Sequence, residues 1–177
     1  QTCNDKPLLG GVVQVGSFGN DTTGHWWLKV QPFQSRGAAV IDGRQIGPYE
    51  QAKGPVFAPN GESWAMATVT NFRWTIITAD QHFTTDAVVD SLFFPGATSE
   101  VWWTERVDPE WSLTNGTKRY GSTYPIKQVQ FHPTGMIVSW VEQLPQAMLL
   151  RRNGTEVHRS DEIRLAGVWQ TGDCVYA

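Results

Sequence analysis

Apolar and aromatic residues occur in short runs along this chain, and each run ends at a turn. The clearest copy is residues 55–69, PVFAPNGESWAMATV, where a short apolar strand, a Pro-Asn-Gly turn and a second apolar strand follow one another. Short runs of β-branched and aromatic residues bounded by turn residues predict strands. The pattern therefore predicts an all-β protein.

The same arrangement recurs with a steady period. The aromatic residues Phe18, Phe57, Phe93, Phe131 and Trp169 each stand two positions before a turn residue, and these turn residues are spaced 39, 36, 38 and 38 positions apart. A second series of turn dipeptides keeps nearly the same period: Asp42-Gly43, Asp80-Gln81, Asn115-Gly116 and Asn153-Gly154. A period held along a whole chain indicates a repeat architecture, and Asp-Gly and Asn-Gly favour tight hairpins.

Each repeat is predicted to contain four strands, A to D. The predicted A strands are 13–18, 55–58, 91–94, 129–132 and 167–170, and the predicted B strands are 25–30, 62–70, 100–105, 136–142 and 173–177. Strand C ends at the turn dipeptide, and strand D is the shorter and more polar one, as suits an exposed edge.

The two ends supply half repeats. The dipeptide Asn4-Asp5 lies one period before Asp42, so residues 1–10 enter the pattern at the end of a C strand, whereas residues 167–177 supply only A and B. We therefore predict one domain over residues 1–177, a five-bladed β-propeller with repeats of about 37 residues, in which both ends build one composite blade.

Cys3 and Cys174 fall in this composite blade. A B–C hairpin predicted around residues 143–145 places Ile137 nearly opposite Arg151 or Arg152, and alignment on the turns puts the two cysteines at corresponding positions. We predict a disulfide between neighbouring strands, which the chain-entropy model values at about 4 to 5 kcal/mol. Two unpaired buried cysteines are the alternative.

Residues 38–68 resemble the repeat of TolB-like (WD-like) β-propellers, in which an Asp-Gly hairpin, a Tyr and a Phe-Ser-Pro-Asp-Gly turn succeed one another. The matching positions are Asp42, Gly43, Tyr49, Phe57, Pro59 and Gly61. The resemblance implies a propeller framework of a kind that serves binding and scaffolding in many unrelated proteins, usually with six or more blades.

Composition limits the kinds of partner that this chain is expected to bind. The 177 residues include nine Trp, and the net charge of −3 leaves no basic surface for nucleic acid. No apolar run reaches the ~20 residues that span a bilayer, so no membrane insertion is expected. Gln1 in place of an initiator Met is typical of a processed N-terminus, and the two cysteines fit an oxidising compartment; we expect a secreted protein, extracellular or periplasmic.

Most Trp residues are expected to pack between blades, namely Trp27, Trp64, Trp74, Trp102, Trp103, Trp140 and Trp169. Phe72 and Trp111, next to predicted B–C loops, are candidate exposed platforms for a ligand such as a sugar. Asp90, Asp161 and Glu162 are placed in D–A connections, where a glycosidase would need carboxylates about 5 to 9.5 Å apart. Solvated loop acids are the alternative, since the repeats leave no long loops.

The four His residues show no metal-ligand spacing, so no metal and no cofactor are expected. Three sequons, at Asn20, Asn115 and Asn153, lie in predicted turns and are candidate glycosylation sites. The last two are equally explained as hairpin turns.

The leading functional hypothesis is a secreted, non-catalytic scaffold or interaction protein that binds protein or glycan. One form of it is a head-to-tail filament, in which the N-terminal strands complete the composite blade of a neighbouring copy. The alternatives are a carbohydrate-binding lectin and a five-bladed glycoside hydrolase.

Overall fold

A computed structural model describes residues 13–32, 36–96, 98–133, 138–168 and 174–176. Within these ranges every regular element is a β-strand, and none of them holds a helix that could span a membrane. The chain divides into two compact units, residues 1–51 and 52–177.

The first unit contains one antiparallel sheet whose strands follow chain order. Its strands are β1 (Val13–Asn20), β2 (Trp26–Pro32), β3 (Gly37–Ile41) and β4 (Arg44–Tyr49).

The second unit repeats this four-stranded arrangement three times, beginning at the strand that crosses the unit boundary. The second sheet consists of β5 (Gln51–Phe57), β6 (Trp64–Thr70), β7 (Arg73–Thr78) and β8 (His82–Thr85). The third sheet consists of β9 (Val88–Phe93), β10 (Trp102–Val107), β11 (Glu110–Thr114) and β12 (Arg119–Ser122). The fourth sheet consists of β13 (Ile126–Phe131), β14 (Val138–Gln143), β15 (Met148–Arg152) and β16 (Thr155–Ser160). A fifth sheet has two described strands, β17 (Leu165–Val168) and β18 (Cys174–Tyr176).

This topology confirms the predicted all-β fold of consecutive four-stranded units, an architecture of the β-propeller type. The predicted C–D turns also stand where the period placed them. Asp42-Gly43 joins β3 to β4 and Asn153-Gly154 joins β15 to β16, and all four residues have positive φ, between 47° and 90°. Tight hairpins need this backbone conformation, which Asn, Asp and Gly adopt at low cost.

Two predictions about the strands were wrong. The A strands β5, β9 and β13 begin three or four residues earlier than predicted. In β9 and β13 the added residues include ones that pair with the B strand through their backbone, such as Val89 with Glu105 and Lys127 with Val141. In the fourth sheet the B–C loop is longer than predicted, so Arg151 and Arg152 pair with Trp140 and Ser139 instead of lying opposite Ile137. The predicted Cys3–Cys174 disulfide lies outside the described residues, since of these two only the backbone of Cys174 is described.

The core of the second unit lies between successive sheets. Trp102 and Trp103 are neighbours on β10, so their side chains point to opposite faces. Trp103 packs with residues of the second sheet, and Trp102 packs with Trp140 and Ile126 of the fourth. The expected packing between sheets is observed for Trp74, Trp102, Trp103 and Trp140. Trp64 is buried as well, at 5% exposed, whereas Trp27 is partly exposed, and Trp169 lies outside the described residues.

Candidate functional site

A cavity of about 500 Å³ opens beside the third sheet, where β11 begins and the edge strand β12 ends. We call it the β11–β12 cavity. It is lined by Val107, Glu110, Trp111, Ser112, Arg119, Gly121, Ser122, Thr123 and Arg151. Its volume falls within the range of about 300 to 1,000 Å³ that is usual for small-molecule sites.

Strand register assigns the lining residues to faces of the sheet. Val107 pairs with Glu110, and Ser112 pairs with both Glu105 and Gly121, so these residues share one face. Trp111 pairs with Arg106 and Ser122 and therefore lies on the opposite face. The lining therefore comes from both faces of the third sheet: Ser112 and Gly121 lie on the face of Trp103, and Trp111 and Ser122 lie on the face of Trp102.

Arg119 is held in the cavity by a buried carboxylate. Its Nη2 lies 2.7 Å from Oε1 of Glu105, whose side chain is only 3% exposed. The indole Nε1 of Trp103 donates to Oε2 of the same carboxylate at 2.8 Å. The carboxylate therefore fixes the guanidinium and offsets its charge.

Arg151, which reaches the cavity from the fourth sheet, is held in the same way. Its Nε donates to Oε1 of Glu142 at 2.7 Å, and its Nη1 donates to the carbonyl oxygen of Gly154 at 3.1 Å. The buried Trp140 donates from Nε1 to the same Glu142 oxygen at 3.1 Å. Two sheets therefore carry a Trp-Glu-Arg group, built on Trp103-x-Glu105 and Trp140-x-Glu142.

Sequence reasoning missed these groups, although part of their signal was present. The two Trp-x-Glu segments stand 37 residues apart and so follow the repeat period. The arginines do not, since Arg119 comes from the D strand β12 and Arg151 from the C strand β15. The period could have identified the buried carboxylates but not their partners.

Trp111, a predicted ligand platform, is the second residue of β11 and is partly buried. Arg106 Cζ lies 5.6 Å and Lys127 Nζ 5.9 Å from the centroid of its ring. Both cations are at cation–π distance from the ring: Arg106 belongs to the same sheet as Trp111, and Lys127 belongs to the fourth sheet. A sugar that stacked on this indole would have to displace them.

Phe72, the other predicted platform, is 95% exposed. It forms the two-residue turn between β6 and β7 with Asn71, and both residues have positive φ, 52° and 63°. A bulky side chain is rare in this conformation, which glycine usually occupies. Phe72 is not among the residues that line the cavity.

The three predicted carboxylates lie in different settings. Asp90 lies within β9, not in a connection as predicted, and Lys53 Nζ donates to its carbonyl oxygen at 2.9 Å and to its Oδ1 at 3.3 Å. Asp161 and Glu162 lie between β16 and β17, where Arg164 Nε donates to Oε1 of Glu162 at 2.9 Å. None of the three lines the cavity.

The three sequon asparagines also differ. Asn20 and Asn153 are exposed, whereas Asn115 is 6% exposed and its Nδ2 donates to Oε1 of Glu100. Oligosaccharyl transfer needs that same nitrogen, so the geometry favours Asn20 and Asn153 as glycan acceptors.

The residues described contain no group of three or more His, Cys, Asp or Glu able to hold a metal ion. No protein-family model, no curated protein and no solved structure matches the chain. Functional inference therefore starts from the fold and from the β11–β12 cavity.

Proposed function

We propose that this chain is a secreted, non-catalytic β-propeller scaffold with five blades, the fifth of which is composite. The observation that carries this proposal is the fifth sheet. Four sheets have four strands in chain order, whereas the described residues of the fifth sheet form two strands, β17 and β18, at the A and B positions. Residues 1–10, which hold the turn dipeptide Asn4-Asp5, would supply strands C and D.

The composite blade can form in two ways. Within one chain, the composite blade would close a ring of five blades. Ring closure leaves no edge strand unpaired between the first and the last blade. Between two chains the same pairing is head-to-tail, and because each copy then offers a further unpaired end, the contact propagates into a filament. In either case Cys3 and Cys174 would fall on neighbouring strands of one blade, which is the basis of the proposed disulfide.

We propose a non-catalytic role because several carboxylates are engaged by neighbouring side chains of the fold. Glu105 and Glu142 are buried against Trp and Arg, and Asp90 is bonded by Lys53. A glycosidase needs two carboxylates free to serve as acid and base across one sugar ring. For secretion, the supporting observation is that the sequon residues Asn20 and Asn153, our proposed sites of N-linked glycans, are exposed.

Carbohydrate binding is the second candidate function, and the β11–β12 cavity favours it. The cavity combines guanidinium donors, a carboxylate and hydroxyl groups in a volume suited to a small ligand. A scaffold can carry such a site without catalysis, so the two functions are compatible.

Non-reducing and reducing electrophoresis of the secreted protein, with free thiols alkylated before denaturation, tests the leading proposal. We expect both thiols to resist alkylation until reduction, in wild type but not in the matched Cys3→Ser and Cys174→Ser variants. A ladder without reductant that collapses to monomer with it indicates the filament, and a monomer with protected thiols indicates closure within one chain. Thiols that are alkylated in the folded protein would contradict the composite blade with its disulfide.

A further inference from the structure

Part of the β11–β12 cavity lies between the third and fourth sheets. Trp111 and Ser122 pair with each other across β11 and β12, and Trp111 packs against the buried cluster that includes Trp140 of the fourth sheet. Arg151 lines the same cavity from the fourth sheet, and it pairs with Trp140, so both side chains lie on the face that packs with the third sheet. We call the space lined by Trp111, Ser122 and Arg151 the Trp111 cleft.

Two further cations lie beside the indole ring of this cleft. Arg106 Cζ is 5.6 Å and Lys127 Nζ is 5.9 Å from the centroid of the Trp111 ring. Arg106 pairs with Trp111 within the third sheet, and Lys127 belongs to the first strand of the fourth. Both residues are exposed, and within the described ranges neither charged group forms an ion pair or a hydrogen bond. Two like charges therefore meet at one ring without a carboxylate to offset them.

The carboxylates of this region leave that charge in place. Glu142 is bonded to Arg151 at 2.7 Å, so this pair is formally neutral. Glu110 lines the cavity from the opposite face of the third sheet, and Asp108 stands in the turn between β10 and β11. Neither of these two forms an ion pair within the described part of the chain. The Trp111 cleft is therefore positively charged.

Arg151 adds hydrogen-bond donors to this charge. Its Nε donates to Glu142 and its Nη1 donates to the carbonyl oxygen of Gly154. In the described ranges its Nη2 forms no hydrogen bond, and the side chain is 29% exposed, so this group is available to a ligand. A carboxylate, sulfate or phosphate group accepts several charge-assisted hydrogen bonds at once, whereas a neutral hydroxyl leaves the two cations uncompensated.

We propose that the Trp111 cleft binds a small organic oxyanion, a molecule of monosaccharide size that carries a carboxylate, sulfate or phosphate group. Arg106 and Lys127 bind the anionic group, and Arg151 donates to a further oxygen of the ligand. The indole ring holds the two cations beside each other through its π face. The cavity volume of about 500 Å³ accommodates the rest of such a molecule. This inference goes beyond the scaffold proposal and does not depend on the composite blade.

Titration followed by amide chemical shifts in two-dimensional NMR tests this site. The probes are methyl glucuronide, glucose 6-sulfate and glucose 6-phosphate, with methyl glucoside as the neutral counterpart and inorganic sulfate and phosphate as the free anions. We expect at least one of the three organic anions to shift the amides of Arg106, Trp111 and Lys127. It should bind at least about tenfold more tightly than methyl glucoside and than either inorganic anion. The preferred probe then identifies the anionic group.

Arg106→Gln and Lys127→Gln should each weaken binding of that probe at least about fivefold, because one of the two cations that compensate the anion is lost. Both residues are exposed, so neither change is expected to disturb the fold. The matched control is Lys118→Gln, which removes the same charge from an exposed residue of the turn between β11 and β12, at the opposite end of β11 from Trp111. It should bind as wild type does.

Any of four results would overturn the inference: no shift of these amides with any organic anion, equally tight binding of methyl glucoside, unchanged binding by either variant, or equally tight binding of inorganic sulfate or phosphate. The last would indicate an adventitious ion only. Each of them leaves the thiol protection and the assembly state of the chain unchanged. Failure of the oxyanion site is therefore distinguishable from failure of the scaffold proposal.

Discussion

Replacing Trp140 with alanine is expected to lower the free energy of unfolding by about 3 to 5 kcal/mol. Trp140 is completely buried between the third and fourth sheets. Its ring lies 5.3 Å from that of Tyr120, centroid to centroid, and its Nε1 donates to Glu142. Removal leaves a large cavity among closely packed side chains and takes one donor from a buried carboxylate.

Chemical denaturation followed by circular dichroism measures this loss. Trp140→Phe keeps most of the apolar volume and removes only the indole N–H and part of the ring, so we expect a cost of about 1 to 2 kcal/mol. Phe72→Ala is the control for removing an aromatic ring at an exposed position and should change stability by less than about 0.5 kcal/mol. A Trp140→Ala variant within 1 kcal/mol of wild type would contradict the assignment of this residue to the core between the two sheets.

Replacing Arg151 with methionine is expected to cost about 3 kcal/mol, the second largest effect. Glu142 is 1% exposed and would be left with Trp140 as its remaining side-chain donor. Removing one partner of a buried ion pair is costly because the other charge stays buried without compensation. Arg151 itself is 29% exposed, which places the expected cost at the lower end of the range for such pairs.

A double-mutant cycle isolates this effect. Glu142→Gln alone should cost about 1 to 2 kcal/mol, and Arg151→Met with Glu142→Gln should cost at least 1 kcal/mol less than the sum of the single changes. The exposed pair of Arg159 and Glu156, 3.3 Å apart, is the matched control, and Arg159→Met should cost less than about 1 kcal/mol. Additive costs at Arg151 and Glu142 would show that the pair does not couple.

Repetition and turn chemistry made the architecture predictable. The residue types of Asp42-Gly43 and Asn153-Gly154 favour positive φ, so these turns could be predicted from the sequence. The apolar runs between turns predicted the B strands. The starts of the A strands were not predictable in this way. Lys127, for example, is polar, and it belongs to β13 because its backbone pairs with Val141 of the neighbouring B strand.

The candidate site was less predictable than the fold, because it depends on register. One residue of difference separates Ser112, which faces the cavity, from Trp111, which lies among Arg106 and Lys127 on the other face. The sequence drew attention to a Trp beside a loop, whereas the side chains that the structure brings to the cavity include two arginines, Arg119 and Arg151, that had not been predicted. Long-range partners such as Arg119 with Glu105 also leave no spacing signal, since different strands supply the arginine in successive sheets.

Hydrogen–deuterium exchange over residues 174–176 tests the central claim, that the N-terminal segment completes the fifth blade. These amides belong to β18, which pairs with β17 on one side. The composite blade predicts that β18 is paired on both sides, and therefore that its amides are protected in the full chain and lose protection when residues 1–12 are deleted. Equal exchange of residues 174–176 in the full and shortened chains would contradict the composite blade.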